Sequence, residues 1–186
     1  MRKIYALSFS LLPLMISTGM IYSILPIYIS KELGAEEIHV GLLFTTGAVT
    51  GAIVSILLGK VSDRFGRKPL ILLSQFLFAI TMLLYSTINH YIYAFPIHAL
   101  EGFAWATAST SAPALVADFS DIKNRGEAMG VYNTAWNLGW VIGPLLGGTL
   151  AQVYGFRIML RFSFIMIIFG MVLTAFTVEE VRSKWG

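Results

Sequence analysis

Six long apolar stretches alternate along the chain with short polar segments that hold most of the charged residues. A membrane-spanning helix needs about 20 mostly apolar residues, and each stretch comes close to or exceeds that length. We therefore predict an all-α integral membrane protein, a single domain over residues 1–186. Its predicted spans cover residues 4–29, 40–59, 70–88, 91–117, 128–153 and 158–178, with residues 179–186 as the start of a cytoplasmic linker or tail.

The composition supports a membrane protein and excludes several other classes. Hydrophobic residues make up 56% of the 186 residues and charged residues only 12%, about half the charged share of a soluble domain. The net charge of +3 gives no reason to expect a nucleic-acid partner. There is no cysteine, which excludes disulfides and thiolate sites. The first apolar run reaches Ile29 without a signal-peptide cleavage site, so we interpret it as a retained helix.

The positions of the cations predict the orientation in the membrane. If the N-terminus is cytoplasmic, ten of the 13 lysines and arginines lie on the cytoplasmic side. Only Lys31, Arg157 and Arg161 then lie on the other side, which is the expected positive-inside bias. We predict a multi-pass protein of the cell (inner or plasma) membrane with both termini in the cytoplasm.

Glycines are concentrated in the second and fifth predicted spans. Gly47 and Gly51 are four residues apart, as are Gly139, Gly143 and Gly147. Small residues at this spacing let helices in a membrane approach closely. We expect spans 2 and 5 to pack closely and spans 3 and 6 to face lipid. The shared pattern also hints at two three-helix inverted repeats.

Residues 59–69, here called the basic segment, join the second and third predicted spans and carry four cations, two glycines and Asp63. A solvated basic turn that fixes the topology explains the cations. It does not explain Asp63, which could pair with an arginine or interact with a helix N-terminus.

The basic segment resembles the loop between helices 2 and 3 of the major facilitator superfamily of secondary transporters. The matching positions are Gly59, Asp63, Arg64, Gly66, Arg67 and Lys68. The resemblance implies a latch for the outward-facing state. In that latch the aspartate meets a helix end of the other half, and an arginine reaches an acid at the end of helix 4, here Asp118.

A second motif lies in the fifth predicted span, at residues 139–148. Alone it is a glycine-rich packing face with a proline kink. It also resembles the helix-5 motif of proton-coupled antiporters in the same superfamily, with matches at Gly139, Gly143, Pro144, Gly147 and Gly148. That resemblance implies a seal between two halves, and export by antiport rather than uptake by symport.

Glu101 is a carboxylate deep within the fourth predicted span. A charge at that depth costs at least about 2.5 kcal/mol and usually faces a cavity or a partner. His98 lies one turn before it and Trp105 one turn after it, on the same helix face. Since histidine exchanges protons near neutral pH, His98 and Glu101 form a candidate proton or cation site. The alternative is a neutral Glu101 that bonds between helices.

The fourth span also departs from the antiporter pattern. An arginine usually stands at the position of His98 and a glutamine at that of Glu101, so the arginine's role in proton transfer does not carry over directly. On the fifth span, Asn133 and Asn137 are four residues apart and could line a cavity or bond between helices.

Superfamily members normally have twelve helices, so the resemblance implies an N-terminal six-helix half. We expect a half-transporter that pairs with a second six-helix half, as a homodimer or with another chain, and exports a small organic solute or drug against protons. The alternative is a non-transporting subunit or a truncated half that associates with another carrier. No enzyme motif is present, and we expect no enzymatic activity, no cofactor and no metal site. The expected partners are lipid, protons and the solute.

Overall fold

The computed structural model describes residues 1–180, without the side chains of Lys60 and Asp63. Predictions about the Asp63 side chain therefore lie outside the described residues, as do those about Arg182 and Lys184. The described part is helical. Its six α-helices are α1 (Arg2–Lys31), α2 (Glu37–Phe65), α3 (Arg67–Tyr85), α4 (Ala94–Asp118), α5 (Arg125–Tyr154) and α6 (Phe156–Thr177), with single 3-10 turns at Tyr91–Tyr93 and Ile122–Asn124.

Four of the six helices are long and apolar enough to cross a membrane. They are α1, α3, α6 and the Glu37–Gly59 part of α2. The other two, α4 and α5, contain more polar residues in their middle turns, among them Glu101 and Asn137. Six spans therefore remain a prediction, although all six helices are formed.

The basic segment is largely helical, and its prediction as a loop was wrong. Helix α2 continues through Phe65 and α3 begins at Arg67, so the break is the single residue Gly66. Gly66 has a φ of +97°, which glycine adopts at little cost because it lacks a Cβ. Pro69 lies in the first turn of α3, where a missing N–H breaks no helical hydrogen bond.

The helices pack in a crossed pattern. Helix α1 packs mainly on α5 and α6, and α4 packs mainly on α2 and α3, while α3 and α6 contact each other. The buried core runs through these contacts from Ile4 to Val178 and includes the large side chains of Tyr28, Phe78 and Tyr85. The chain thus buries α1 and α4 between their neighbours.

The predicted close packing of α2 and α5 is confirmed on one face of each helix. A Cβ on Gly143 would lie 2.6 Å from the carbonyl oxygen of Ile16, and a Cβ on Gly51 would lie 3.3 Å from that of Gly102. The outer faces are open, and only 17% of the apolar window of α2 is buried. The apolar window of α3 is 50% buried and that of α6 is 33% buried, so the expected lipid-facing surface is confined to the outer side of each helix. Helix α3 packs its Ser74 and Gln75 side inward.

The first and last described residues meet at one end of the bundle. Nζ of Lys3 lies 2.6 Å from Oε2 of Glu179. We call this the termini end, and the basic segment lies there as well, since backbone amides of α3 contact Glu180. At the opposite end, Arg157 donates to the carbonyl of Ile88 at 2.9 Å.

Candidate functional site

Three polar side chains meet in the interior of the bundle. The phenol oxygen of Tyr85 lies 2.8 Å from Nδ1 of His98 and 3.2 Å from Oε2 of Glu101. Nδ1 of His98 is 3.1 Å from the same carboxylate oxygen. The side chain of Glu101 is 1% exposed. We call Tyr85, His98 and Glu101 the polar triad.

The helices hold the polar triad in place. His98 and Glu101 are three residues apart on α4, so both point to one side of that helix. Tyr85 reaches them from the last turn of α3, and its own carbonyl accepts a 2.7 Å hydrogen bond from the phenol of Tyr28 in α1. Three helices therefore fix the position of one carboxylate.

The polar triad combines three groups with different hydrogen-bonding capacities. A phenol supplies one hydrogen, an ionised carboxylate only accepts, and imidazole does either according to its protonation state. The proton shared by His98 and Glu101 can lie on either residue while their contact is kept. Oε1 of Glu101 is buried and has no hydrogen-bond partner among the described atoms. The described triad therefore contains an unused hydrogen-bond acceptor inside the bundle.

A cleft of about 610 Å³ lies beside the polar triad. His98 and Trp105 of α4 form part of its wall, facing a row of small residues on α2. The cleft is bordered by Tyr22, Phe44, Gly47, Ala48, Gly51, Ala52, Ser55, His98, Gly102, Trp105, Ser109 and Trp140. It is large enough for a drug-sized molecule.

Aromatic rings surround Tyr22 at this cleft. The rings of Phe44, Trp105 and Trp140 lie 6.0, 6.1 and 6.1 Å from that of Tyr22, centre to centre. Behind them, Trp105 stacks on Trp136 at 5.4 Å and 18°. Such rings present flat apolar faces with negative potential, which favour planar and cationic groups.

The structure separates the predicted site residues into two groups. His98, Glu101 and Trp105 lie together at the triad and cleft. Asn133 and Asn137 are exposed on α5, outside the described lining of the cleft. Among the described side chains, no cluster of three or more histidine or acidic residues could hold a metal ion.

The basic segment joins three helices at the termini end. Nε of Arg67 lies 3.2 Å from Oδ2 of Asp118, and its Nη1 lies 2.8 Å from Oγ of Ser62. Nζ of Lys68 donates to the carbonyl of Ala175 at 2.7 Å. Arg67 and Lys68 thus tie the start of α3 to α2, α4 and α6.

Arg64 and Gly59 of the basic segment contribute less to these contacts. Arg64 is exposed, with its guanidinium 5.7 Å from the ring centre of Phe65. Gly59 has open space where a Cβ would point. Gly66, in contrast, makes the break between α2 and α3.

Glu180 caps α3 from a distant part of the chain. Its carboxylate oxygens accept hydrogen bonds from the backbone amides of Arg67 at 3.0 Å and Lys68 at 2.9 Å. A carboxylate at a helix N-terminus satisfies free N–H groups and complements the helix dipole. A Cβ on Gly66 would lie 2.9 Å from this carboxylate. The segment after α6 is thereby docked on α3.

Three of the four glycines of the fifth-span motif face α1. A Cβ on Gly139 or Gly147 would lie 2.5 Å or 2.9 Å from backbone atoms of Met15 or Met20. Gly148 points elsewhere, with its nearest neighbour at 3.9 Å. Pro144 lies inside α5. In the described residues, this face is covered by α1.

Sequence reasoning missed Tyr85, Tyr22 and Glu180. Tyr85 precedes His98 by 13 residues and belongs to another helix, and Glu180 is 113 residues from Arg67. No periodicity joins residues on different helices. For Glu180, the available signal was the presence of an acidic residue after the last apolar stretch.

Comparison with known proteins gives the context of this site. An uncharacterized MFS-type transporter of Methanocaldococcus jannaschii is 26% identical over 97% of this chain and 46% of its own length. Multidrug resistance protein 1 of Bacillus subtilis is 30% identical over 87% of this chain and 41% of its own. The quinolone resistance protein NorA of Staphylococcus aureus is 24% identical over 82% and 39%. The chain spans less than half the length of these relatives.

A solved structure with a similar fold is that of a peptide transporter, POT, as an E310Q mutant in complex with alafosfalin. It superposes with a TM-score of 0.80 at 20% identity, over 92% of this chain and 37% of the transporter. The sequence profile of the Major Facilitator Superfamily matches residues 7–186. With nearly the whole sequence matched and the helical architecture shared, the chain belongs to the major facilitator superfamily.

Proposed function

We propose that this chain is one half of a secondary active transporter that exports a small organic solute in exchange for protons by alternating access. The observation that carries the proposal is the position of the polar triad beside an aromatic cleft. A proton-holding group next to a solute-sized cavity is what an exchanger needs, because each ligand then alters the affinity for the other.

The polar triad supplies the proton site. The pair of His98 and Glu101 is neutral overall when it holds one proton, on whichever of the two residues that proton lies. One added proton makes it cationic, and a buried cation is unfavourable in a membrane. The loaded and unloaded states therefore favour different arrangements of the surrounding helices.

The aromatic cleft supplies the solute site. Its rings favour a planar, apolar or cationic molecule. The relatives named for multidrug and quinolone resistance support a solute of this kind. The antiporter-like motif on α5 supports export as the direction of transport.

The orientation and the second half belong to the same proposal. Lys3, Arg67, Lys68 and Arg125 lie near the termini end, which supports a cytoplasmic location for that end. If the first three helices are exchanged with the last three, the α1–α5 pair becomes the α4–α2 pair, so the two sets pack in the same way. This supports inverted repeats and six spans. The open outer faces of α2 and α5 would then contact a second six-helix half.

Proton exchange is tested in liposomes that contain the protein and a trapped pH indicator. Ethidium, a planar aromatic cation, is the probe, and its addition should drive proton movement. Glu101→Gln should abolish that movement, while the matched change Glu37→Gln, at the exposed start of α2, should preserve it. Unchanged proton movement in Glu101→Gln would overturn the coupling. If neither ethidium nor other planar cations move protons, the non-transporting subunit is the better interpretation.

Pairing is tested with introduced cysteines, because the chain has none of its own. Ile53→Cys on α2 and Leu145→Cys on α5 place thiols on exposed faces. We expect oxidation in membranes to give a covalent dimer if a second copy supplies the other half. Only monomer would exclude self-pairing and favour a different chain as partner.

A further inference from the structure

The backbones of α2 and α4 touch where Gly47 crosses Gly102. A Cβ on Gly102 would overlap the carbonyl oxygen of Gly47. A Cβ on Gly47 would lie 2.6 Å from Cδ2 and 2.9 Å from Nε2 of His98. The backbone of Gly47 therefore covers the edge of the imidazole ring that points away from the polar triad.

The two edges of the His98 ring have different surroundings. Nδ1 faces Tyr85 of α3 and Glu101 of its own helix. The Nε2 edge lies beneath Gly47 at the wall of the cleft. Only 2% of His98 is exposed, although it borders a cavity. The cover on that edge is the backbone of α2.

The groups around the ring are few. From α2 it meets Phe44, whose ring centre is 5.0 Å away, and Gly47, neither of which titrates. From α3 it meets Tyr85, and Tyr22 of α1 borders the same cleft. Helix α5 contributes Trp140 to the cleft. Among the described residues, the titratable groups that we find at the ring or at its cleft are thus Glu101, Tyr85 and Tyr22.

Protonation on the covered edge would conflict with this packing. The imidazolium ring carries a hydrogen on both nitrogens, and Nε2 has no hydrogen-bond acceptor among the described residues. An N–H that points at the backbone of Gly47 instead of at an acceptor destabilises the packed arrangement. Separation of α2 from α4 would open this edge to the cleft and to water. Protonation of His98 and separation of the two helices therefore favour each other.

We propose that Gly47 and Gly102 are positioning residues that make α2 a lid over His98, so that the ring exchanges protons more readily when α2 moves away from α4. This inference rests on the proposed function, because it assigns the control of proton entry in the exchange. Larger residues at either position would prevent the lid from closing.

The chain provides a matched control at its second glycine crossing. There α1 and α5 meet through Gly19, Gly139 and Gly143, again with overlap between a Cβ and backbone atoms. No histidine lies in that contact. A substitution there disturbs helix packing to a similar degree and leaves the cover of His98 in place.

The test measures how fast diethylpyrocarbonate modifies His98 in the reconstituted protein. His39→Gln and His90→Gln leave His98 as the one reactive histidine. In this background we expect slow modification. Gly102→Ala should raise the rate by about tenfold, which corresponds to about 1.4 kcal/mol less closure free energy. Gly139→Ala should leave the rate unchanged.

A milder variant keeps the test informative if Gly102→Ala fails to fold. Gly51→Ala places a methyl group 3.3 Å from the carbonyl oxygen of Gly102, a contact that requires a shift of a few tenths of an ångström. It should give an intermediate rate. Gly41→Ala, with open space around its methyl group, should match the background. Equal modification rates in all variants would contradict the proposed lid. An equal rise of the rate in Gly139→Ala would contradict it as well.

Proton movement in liposomes separates this inference from the proposed function. If His98→Gln retains ethidium-driven proton movement while Gly102→Ala still exposes His98, proton exchange through His98 fails and the lid over the ring stands. If His98→Gln abolishes proton movement and Gly102→Ala does not expose the ring, the proposed function stands and the lid fails.

Discussion

Arg67 at the start of α3 and Asp118 at the end of α4 form an ion pair with 3.2 Å between Nε and Oδ2. Their side chains are 13% and 32% exposed, so the pair is partly shielded from water. The two residues are 51 positions apart in the chain. The contact fixes the distance between two helix ends on the side where the basic segment lies.

Loss of this ion pair should weaken the termini end of the bundle. Asp118→Asn keeps the shape of the side chain and removes its charge. We expect it to lower the free energy of unfolding by about 1 kcal/mol, at the upper end for partly exposed pairs. Chemical denaturation in detergent micelles measures this change. Asp121→Asn, at an exposed position in the α4–α5 connection, serves as the control, and equal losses in both variants would contradict the prediction.

Loss of the Glu180 carboxylate should loosen the first turn of α3. Glu180→Ala removes the acceptor of two backbone amides, and loss of a helix cap typically costs about 1 kcal/mol. Amide hydrogen exchange at Arg67 and Lys68 should become about fivefold faster, as expected for that free energy. Glu179→Ala is the control, because its carboxylate contacts Lys3 instead. Unchanged exchange in Glu180→Ala would show that the cap does not stabilise the helix.

The α1–α5 contact should tolerate a methyl group at Gly148 and reject one at Gly143. At Gly143 the Cβ would lie 2.6 Å from the carbonyl oxygen of Ile16, whereas at Gly148 the nearest atom is 3.9 Å away. Overpacking of this kind costs roughly 1–3 kcal/mol. Thermal unfolding should therefore occur at a lower temperature in Gly143→Ala than in Gly148→Ala. The same midpoint in both variants would exclude tight packing on this face.

The Lys3–Glu179 contact should depend on pH. The hydrogen bond and positive charge from Lys3 lower the pKa of Glu179 from its ordinary value of 4.5. Because the folded pKa is the lower one, the contact contributes fully above pH 4.5 and is lost as the pH falls through the folded pKa. Lys3→Met should return the pKa of Glu179 toward 4.5, as measured by carboxyl NMR titration. Lys31→Met, at the opposite end of α1, should not change it.

Local patterns predicted the helices and their close-packing faces. The spacing of Gly139 and Gly143 depends on one helix alone, and so does the shared face of His98 and Glu101. The end of α2 was harder to predict, because Gly59 and the charged residues after it suggest a loop. Charged residues remain helical where the helix leaves the apolar layer, and only the positive φ of Gly66 ends it.

Long-range contacts could not be predicted from the sequence. The resemblance pointed to Asp118 as an acid near an arginine, but which arginine reaches it depends on how α3 is rotated. The meeting of Tyr85 with Glu101 depends on how α3 packs against α4. The cover of His98 by Gly47 needs the crossing point of α2 and α4 as well. These relationships follow from tertiary packing, which one helical pattern does not contain.

The crossed packing of the helices has a consequence for biosynthesis. The main partner of α1 is α5, whose first residue, Arg125, follows Lys31 by roughly ninety positions. At a synthesis rate of about 5–20 residues per second, α1 is synthesised on the order of ten seconds before that partner. During this interval Gly19 and its neighbouring backbone are uncovered in the bilayer. The nascent chain therefore exposes the close-packing face of α1 before its partner is made. An insertase or chaperone would have to shield that face from unwanted contacts.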